Sequence, residues 1–181
     1  MTQFYQFKTC GCQFPIENKH IDFWPEVQNI NLECPLTWQY IQSGNTKGMF
    51  QIESQLGKKI AEQLKPSTIE ELSALIAIMR PGASEALLED GKSITEHYIL
   101  RKNKEEEVTY YNPALESILE DTYGLLVYQE QSIEIGIKLA GFSPEEADIL
   151  RKSIGKKKPE EMSKIKQIFV DGCKKQAIIN E

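Results

Sequence analysis

The sequence holds no apolar run approaching the roughly 18–20 residues that a membrane-spanning helix needs. Its opening, Met-Thr-Gln-Phe-Tyr-Gln-Phe-Lys, lacks the charged start, apolar middle and small-residue cleavage site of a secretory signal. The expectation is a cytoplasmic protein with no membrane partner. Cysteine is scarce, with four residues in 181 (Cys10, Cys12, Cys34 and Cys173). That excludes a disulfide-stapled scaffold, and in the cytoplasm these thiols stay reduced. Only two histidines occur, His20 and His97. His97 has no evident carboxylate or cysteine cluster beside it, so packing or a polar surface is expected of it rather than chemistry. There is no internal repeat and no low-complexity segment.

What is present is an ordinary globular composition, 40% apolar and 27% charged, enough for one helical domain with a small appendage. A pI near 5.2 argues against a protein that coats nucleic acid generally. The charge is nevertheless segregated. Between Arg151 and Lys175 nine Lys or Arg face three acids, so this stretch carries +6 in a chain of net charge −6, and the remainder carries −12. A local cationic tip concentrates polyanions through its field. A solvated Lys-rich helix is the plainer explanation of such a run taken alone.

Residues 1–35 mix aromatic and polar side chains without helical period, and Pro15, Pro25 and Pro35 interrupt them. They read as a loop-rich or short-stranded arm. Cys10-Gly-Cys12, with Cys34 and His20 nearby, offers thiolate and imidazole ligands for zinc. Two cysteines one residue apart with no second pair fit a structural zinc site poorly, and a tight turn with reduced thiols is expected instead.

From residue 36 to the end the pattern is helix after helix, giving a mainly all-α domain over 36–181. A first helix places Leu36, Tyr40 and Ile41 on one side and stops at Gly44. Met49 to Ile52 reads as a short extended piece before a helix from Ser54 to Leu64, with Leu56, Ile60 and Leu64 as its stripe and Pro66 as its end. Thr68-Ile-Glu-Glu71 is a capping box for a helix with Leu72, Leu75, Ile76 and Met79 inward, stopping at Arg80-Pro81-Gly82. Thr95 is expected to cap a helix through Lys102. Asn112-Pro113 starts another with Leu115, Ile118 and Leu119 buried. Val127 to Leu139 follows, with Ile133, Ile137 and Ala140 apolar and Gly141 as breaker. Ser143-Pro-Glu-Glu146 is a second capping box, Gly155 a turn, and Ile165, Ile168, Phe169 and Val170 line a last helix.

Several ordered blocks carry a resemblance. Gly-Leu-Leu-Val-Tyr-Gln-Glu-Gln (124–131), Ala-Gly-Phe (140–142), Glu-Ala-Asp-Ile-Leu-Arg-Lys (146–152) and Gly-Lys-Lys-Lys-Pro-Glu-Glu-Met (155–162) closely resemble the fingers region of the bacterial DNA polymerase III alpha subunit, a family C DNA polymerase. Gly48-Met-Phe-Gln-Ile-Glu-Ser54 and Arg80-Pro81-Gly82 are similar to two further blocks of that family, in the same order. The resemblance covers about residues 36–175.

It implies the fingers portion of a replicative polymerase, binding an incoming deoxynucleoside triphosphate and primer-template DNA. Arg151 and Lys152 match paired basic residues that approach the triphosphate, with Lys156 and Lys157 adjacent and Arg80 contributing from another helix. Relatives commonly carry two arginines at that pair, and Lys152 keeps the charge without the bidentate geometry. Tyr128, Gln129 and Gln131 are implied near the nucleotide or template base, Gln51 and Ser54 near the junction with the palm, and Arg101, Lys102 and Lys158 on a DNA-facing edge. Polymerisation also needs carboxylates that hold two divalent metals. No Asp-x-Asp strand stands among Asp22, Asp90, Asp121, Asp148 and Asp171. The expectation is therefore no catalytic residue and no bound cofactor in this chain, with magnesium on a palm supplied by the remaining polymerase polypeptide. The chain then reads as an excised domain, a split-gene product or a remnant. The alternatives are an inhibitor or adaptor of a replisome or its DNA, derived from polymerase fingers, and a zinc-bearing interaction module.

Overall fold

A computed structural model of the chain describes residues 3–6, 13–17, 20–21, 30–156 and 159–176. They fall into two compact units, Met1–Ser84 and Glu85–Glu181. The fold is mainly all-α, as the helical periodicity predicts.

The first unit begins with a small antiparallel sheet of β1 (Gln3–Gln6), β2 (Gln13–Glu17) and β3 (His20–Ile21), in the order β1-β2-β3. Four helices follow: α1 (Pro35–Gln42), α2 (Gln55–Leu64), α3 (Ile69–Ile78) and α4 (Pro81–Ser84). The buried face of α1 is Trp38 and Ile41, with Cys34 just before it, whereas Leu36 and Tyr40 are half exposed. The indole decides this, because Trp38 Nε1 donates to the Leu32 carbonyl at 2.8 Å and turns the ring inward. Met49 to Ile52 is turned rather than extended, with Gln51 at a φ of 65° and Thr46 Oγ1 donating to the Ile52 carbonyl at 2.7 Å. Ser54 caps α2, accepting from Gly57 N–H at 3.0 Å. Ile60, Ala61 and Leu64 are buried and Leu56 lies outside. At α3, Thr68 accepts from Glu71 N–H, while the Glu71 carboxylate takes the Ser67 N–H and hydroxyl at 2.7 and 3.0 Å.

The second unit contains α5 (Ile94–Lys102), α6 (Glu116–Leu119) between two 3-10 turns, α7 (Gln129–Ala140), α8 (Pro144–Lys156) and α9 (Pro159–Lys175). Its core joins Ile118 and Leu119 to Leu139, Ala140, Phe142, Ala147, Ile165 and Cys173. Phe142 and Phe169 meet edge to face at 6.0 Å. Close approach of α9 to α7 requires glycine at 172, where a Cβ would collide with the Ala140 carbonyl oxygen. The Ser143–Glu146 capping box forms in both directions, at 2.8 and 3.2 Å. Two expectations change here. Ile137 and Ile168 are substantially exposed. Gly155 lies inside α8 rather than at a turn, because the helix runs on to Lys156.

The start of α5 differs as well. Ser93, not Thr95, is the cap: its hydroxyl accepts from Glu96 N–H at 3.2 Å, and the Glu96 carboxylate accepts from Ser93 N–H at 2.7 Å. Ser93-x-x-Glu96 is itself a capping-box spacing. His97 is buried between two carboxylates contributed by the flanking loops, with Nδ1 2.7 Å from Glu106 and Nε2 3.2 Å from Asp90. Glu106 also accepts from Arg101 Nε at 2.7 Å. This network ties the acidic 85–111 stretch to α5.

Burial pushes the Glu106 carboxyl up, but hydrogen bonds from Arg101 and His97 and the adjoining positive charges outweigh it, bringing its pKa from 4.5 down to about 2. A carboxyl lowered on folding stabilises the fold above its unfolded value and loses that contribution as pH falls toward its folded one. Thermal melts should therefore show E106Q about 4–8 °C below wild type at pH 7, as for roughly 1 kcal/mol in a unit of about 100 residues. The two curves should converge between about pH 4.5 and 2 as wild type protonates.

Candidate functional site

Arg151 and Lys152 lie at one corner of the second unit, where the segment leading into α7 meets the last turns of α8. A buried amide shapes that corner. Gln131 is 7% exposed, and its Oε1 accepts from the backbone N–H of Val127 and of Tyr128, both at 2.9 Å. Its Nε2 donates to Thr122 Oγ1 at 2.7 Å and to the Ile118 carbonyl at 3.3 Å. Both N–H groups ahead of α7 are thus satisfied by one side chain, and residues 125–128 are held against the preceding turn. That turn reverses through Tyr123 and Gly124, at φ of 54° and 78°, and a side chain on Gly124 would strike the Thr109 carbonyl. Gln131 is therefore built into the fold, with both ends of its amide engaged by the protein.

Gln129, one residue into the helix, is exposed. Its Oε1 accepts from Arg151 Nη1 at 3.2 Å across the α7–α8 gap. Arg151 also donates from Nε and Nη2 to Asp148 Oδ1, at 3.0 and 2.8 Å. Lys152 Nζ lies 2.5 Å from the other carboxylate oxygen of Asp148. The hydrogen bonds from Lys152 and then Arg151 hold the Asp148 carboxyl below its usual range, so it is ionised at neutral pH. Arg151, Tyr128, Gln129, Ser132, Ile154 and Gly155 line a groove of about 190 Å³. Sites for whole small molecules run to about 300 Å³ and more, so this groove is small, with Arg151 the one charged residue of its lining. Beside it is an apolar bay of about 250 Å³ that shares Leu126, Ser132 and Ile154.

Of the expected site residues, Arg151, Lys152 and Gln129 are thus brought together. Lys156 ends the same helix, and Lys157 and Lys158 lie outside the described residues. Arg80 is exposed in the first unit, directly after α3, where its carbonyl accepts from the N–H groups of Ala83 and Ser84. Lys102 is half-buried at the end of α5.

Arg101 differs from the expectation of a DNA-facing side chain. Its side chain is 10% exposed, and its donors go to Glu106, to the Tyr123 carbonyl at 2.8 Å and to Thr109 Oγ1 at 3.3 Å. Those partners lie up to 22 residues away in sequence, so the guanidinium knits α5 to the turn before α7. Of the zinc candidates, Cys34 is buried at the start of α1, His20 is in β3, and Cys10 and Cys12 lie outside the described residues. Among the described residues no group of three or more His, Cys, Asp or Glu is placed to hold a metal ion. Sequence reasoning missed Ser132, Ile154 and the clamp made by Asp148. The i, i+3 and i, i+4 spacing of Asp148 to Arg151 and Lys152 was the available signal for that clamp.

Residues 14–177 match the family described as the bacterial DNA polymerase III alpha subunit finger domain. The chain belongs to that family. It is similar to DNA polymerase III subunit alpha of Aquifex aeolicus, 42% identical over 142 residues, which is 78% of this chain and 12% of that protein. The corresponding protein of Pseudomonas aeruginosa is 38% identical over 168 residues, 90% of this chain and 13% of that one. That of Campylobacter jejuni is 41% identical over 150 residues, 82% and 12%. The chain thus spans about one-eighth of the length of the relatives it matches.

As the finger-domain corner rests on Gln131, replacing it by alanine strands two backbone N–H groups. Q131A should cost about 1–3 kcal/mol in denaturant unfolding, and hydrogen exchange at Val127 and Tyr128 should quicken ahead of the α9 amides.

Proposed function

We propose that this chain is the part of a replicative DNA polymerase that grips the triphosphate of the incoming deoxynucleotide beside the primer-template, and that polymerisation needs a palm carrying the metal-binding carboxylates. The observation that carries this reading is the Arg151 corner: a guanidinium held from two sides, a lysine on the next residue and a small groove beside the guanidinium. A guanidinium has a planar, bidentate donor edge that suits phosphate, which a lysine ammonium lacks, and Gln129 holds this one at the groove. Charge neutralisation by preset donors is what phosphoryl transfer asks of groups outside the metal site. Membership of the finger-domain family and likeness to proteins named DNA polymerase III subunit alpha support the same reading.

In this proposal Arg151 and Lys152 contact the triphosphate, Gln129 aims Arg151, and Lys156 and Lys157 add binding charge. Arg80 is proposed as a further phosphate contact. Lys102 and Lys158 are proposed to bind the DNA backbone, and replisome proteins are the other partners. The site of action is the cytoplasm. No helix among the described residues is long and apolar enough to cross a membrane.

Primer extension with the chain combined with a palm-bearing alpha polypeptide tests this. Extension is expected only in the mixture, and R151A should raise the KM for the deoxynucleotide at least about tenfold, the loss of one charge-assisted pair of hydrogen bonds. Unchanged kinetics in R151A would overturn the assignment of Arg151. Inhibition of an intact polymerase by the chain alone would favour the adaptor reading.

A further inference from the structure

We propose that Asp148 is an internal competitor for the anion seat on α8: its carboxylate holds the donors of Arg151 and Lys152 that an incoming polyphosphate takes over. The inference rests on the reading of those two cations as phosphate ligands. Oδ1 of Asp148 receives both Nε and Nη2 of Arg151, the side-on edge of the guanidinium that matches a carboxylate or a phosphate equally well. Oδ2 receives Lys152 Nζ. One carboxylate therefore occupies the best donor edge of the arginine and the ammonium of its neighbour.

Three features make this contact a displaceable one. The side chains of Arg151, Lys152 and Asp148 are 31%, 55% and 39% exposed, so their ion pairs lie near solvent and are weak. A polyphosphate presents several negative charges to the same two donors and outcompetes a single carboxylate. The spacing of the three residues on α8 means that release needs only side-chain rotation, with no backbone rearrangement.

Gln129 supplies the other half of the device. Because Nη1 is tied to Gln129 on α7 and not to Asp148, the guanidinium remains anchored at the groove when the carboxylate lets go. Asp148 thus keeps the two cations side by side and neutralised while the seat is vacant, and sets a threshold that a ligand must exceed.

Calorimetric titration of the chain with inorganic tripolyphosphate at low ionic strength tests the proposal, using wild type, D148N, R151A, and R151A/K152A with and without D148N. R151A should weaken binding. D148N should tighten it about three- to fivefold, the scale of an exposed ion pair. In the R151A/K152A background, where no donor remains to release, D148N should change affinity by less than about 1.5-fold, as a double-mutant cycle requires of coupled residues. D148S should match D148N and stands in for it should D148N fail to fold.

If R151A weakens binding while D148N leaves it unchanged or weaker, Asp148 is not a competitor and the proposal falls, with Arg151 still a phosphate ligand. An undiminished D148N effect in the R151A/K152A background would reveal a through-space charge effect and would equally overturn it. Wild-type binding by R151A would remove the phosphate reading and this inference together.

Discussion

The corner that carries the site depends on one primary amide being fully used. Gln131 takes two consecutive backbone N–H groups with its oxygen and gives its hydrogens to Thr122 and to the Ile118 carbonyl. A buried amide with every partner in place is stiff, because breaking any one bond leaves a desolvated polar group. The segment 125–128 therefore enters α7 at a fixed angle. That angle puts Gln129 where it reaches Arg151 on α8. The packing of Leu139, Ala140, Phe142 and Ala147 holds the two helices together behind it.

The charges divide by burial. Arg101 and His97, closed in by Glu106, Asp90 and carbonyls, hold the acidic stretch of the second unit to its first helix. Arg151 and Lys152, near solvent and sharing a single carboxylate, keep donors within reach of a ligand. Both arginines have acidic partners. What separates them is exposure, the Arg101 side chain being 10% exposed and that of Arg151 31%.

Local chemistry explains why much of this was legible in the sequence. Ser143-Pro-Glu-Glu146, Asn112-Pro113 and Gly141 each specify a helix end through bonds to neighbours within a few residues, and each forms as read. The start of α5 was misread because Thr95 and Ser93 both suit a cap. Only Ser93 has glutamate three residues on, which decides between them. Gly155 resembled a turn, yet a glycine inside a helix costs only about 1 kcal/mol, which the preceding turns of α8 override. The roles of Arg101 and Gln131 were out of reach for a different reason. Their partners lie 22 and 13 residues away, at distances that no spacing rule covers. The inward face of α1 was set by one indole hydrogen bond rather than by the count of apolar residues.

The central claim is that the fixed Arg151 corner is a seat for phosphate. Its most direct test is a titration of the chain with dATP followed by the side-chain N–H resonances of arginine and glutamine. The account predicts saturable shifts at Arg151 Nε–H, at Gln129 and at the backbone of residues 126–132 and 151–155, with Arg101 and the Gln131 amide unmoved. Saturable shifts confined to other residues, with Arg151 unchanged, would contradict it.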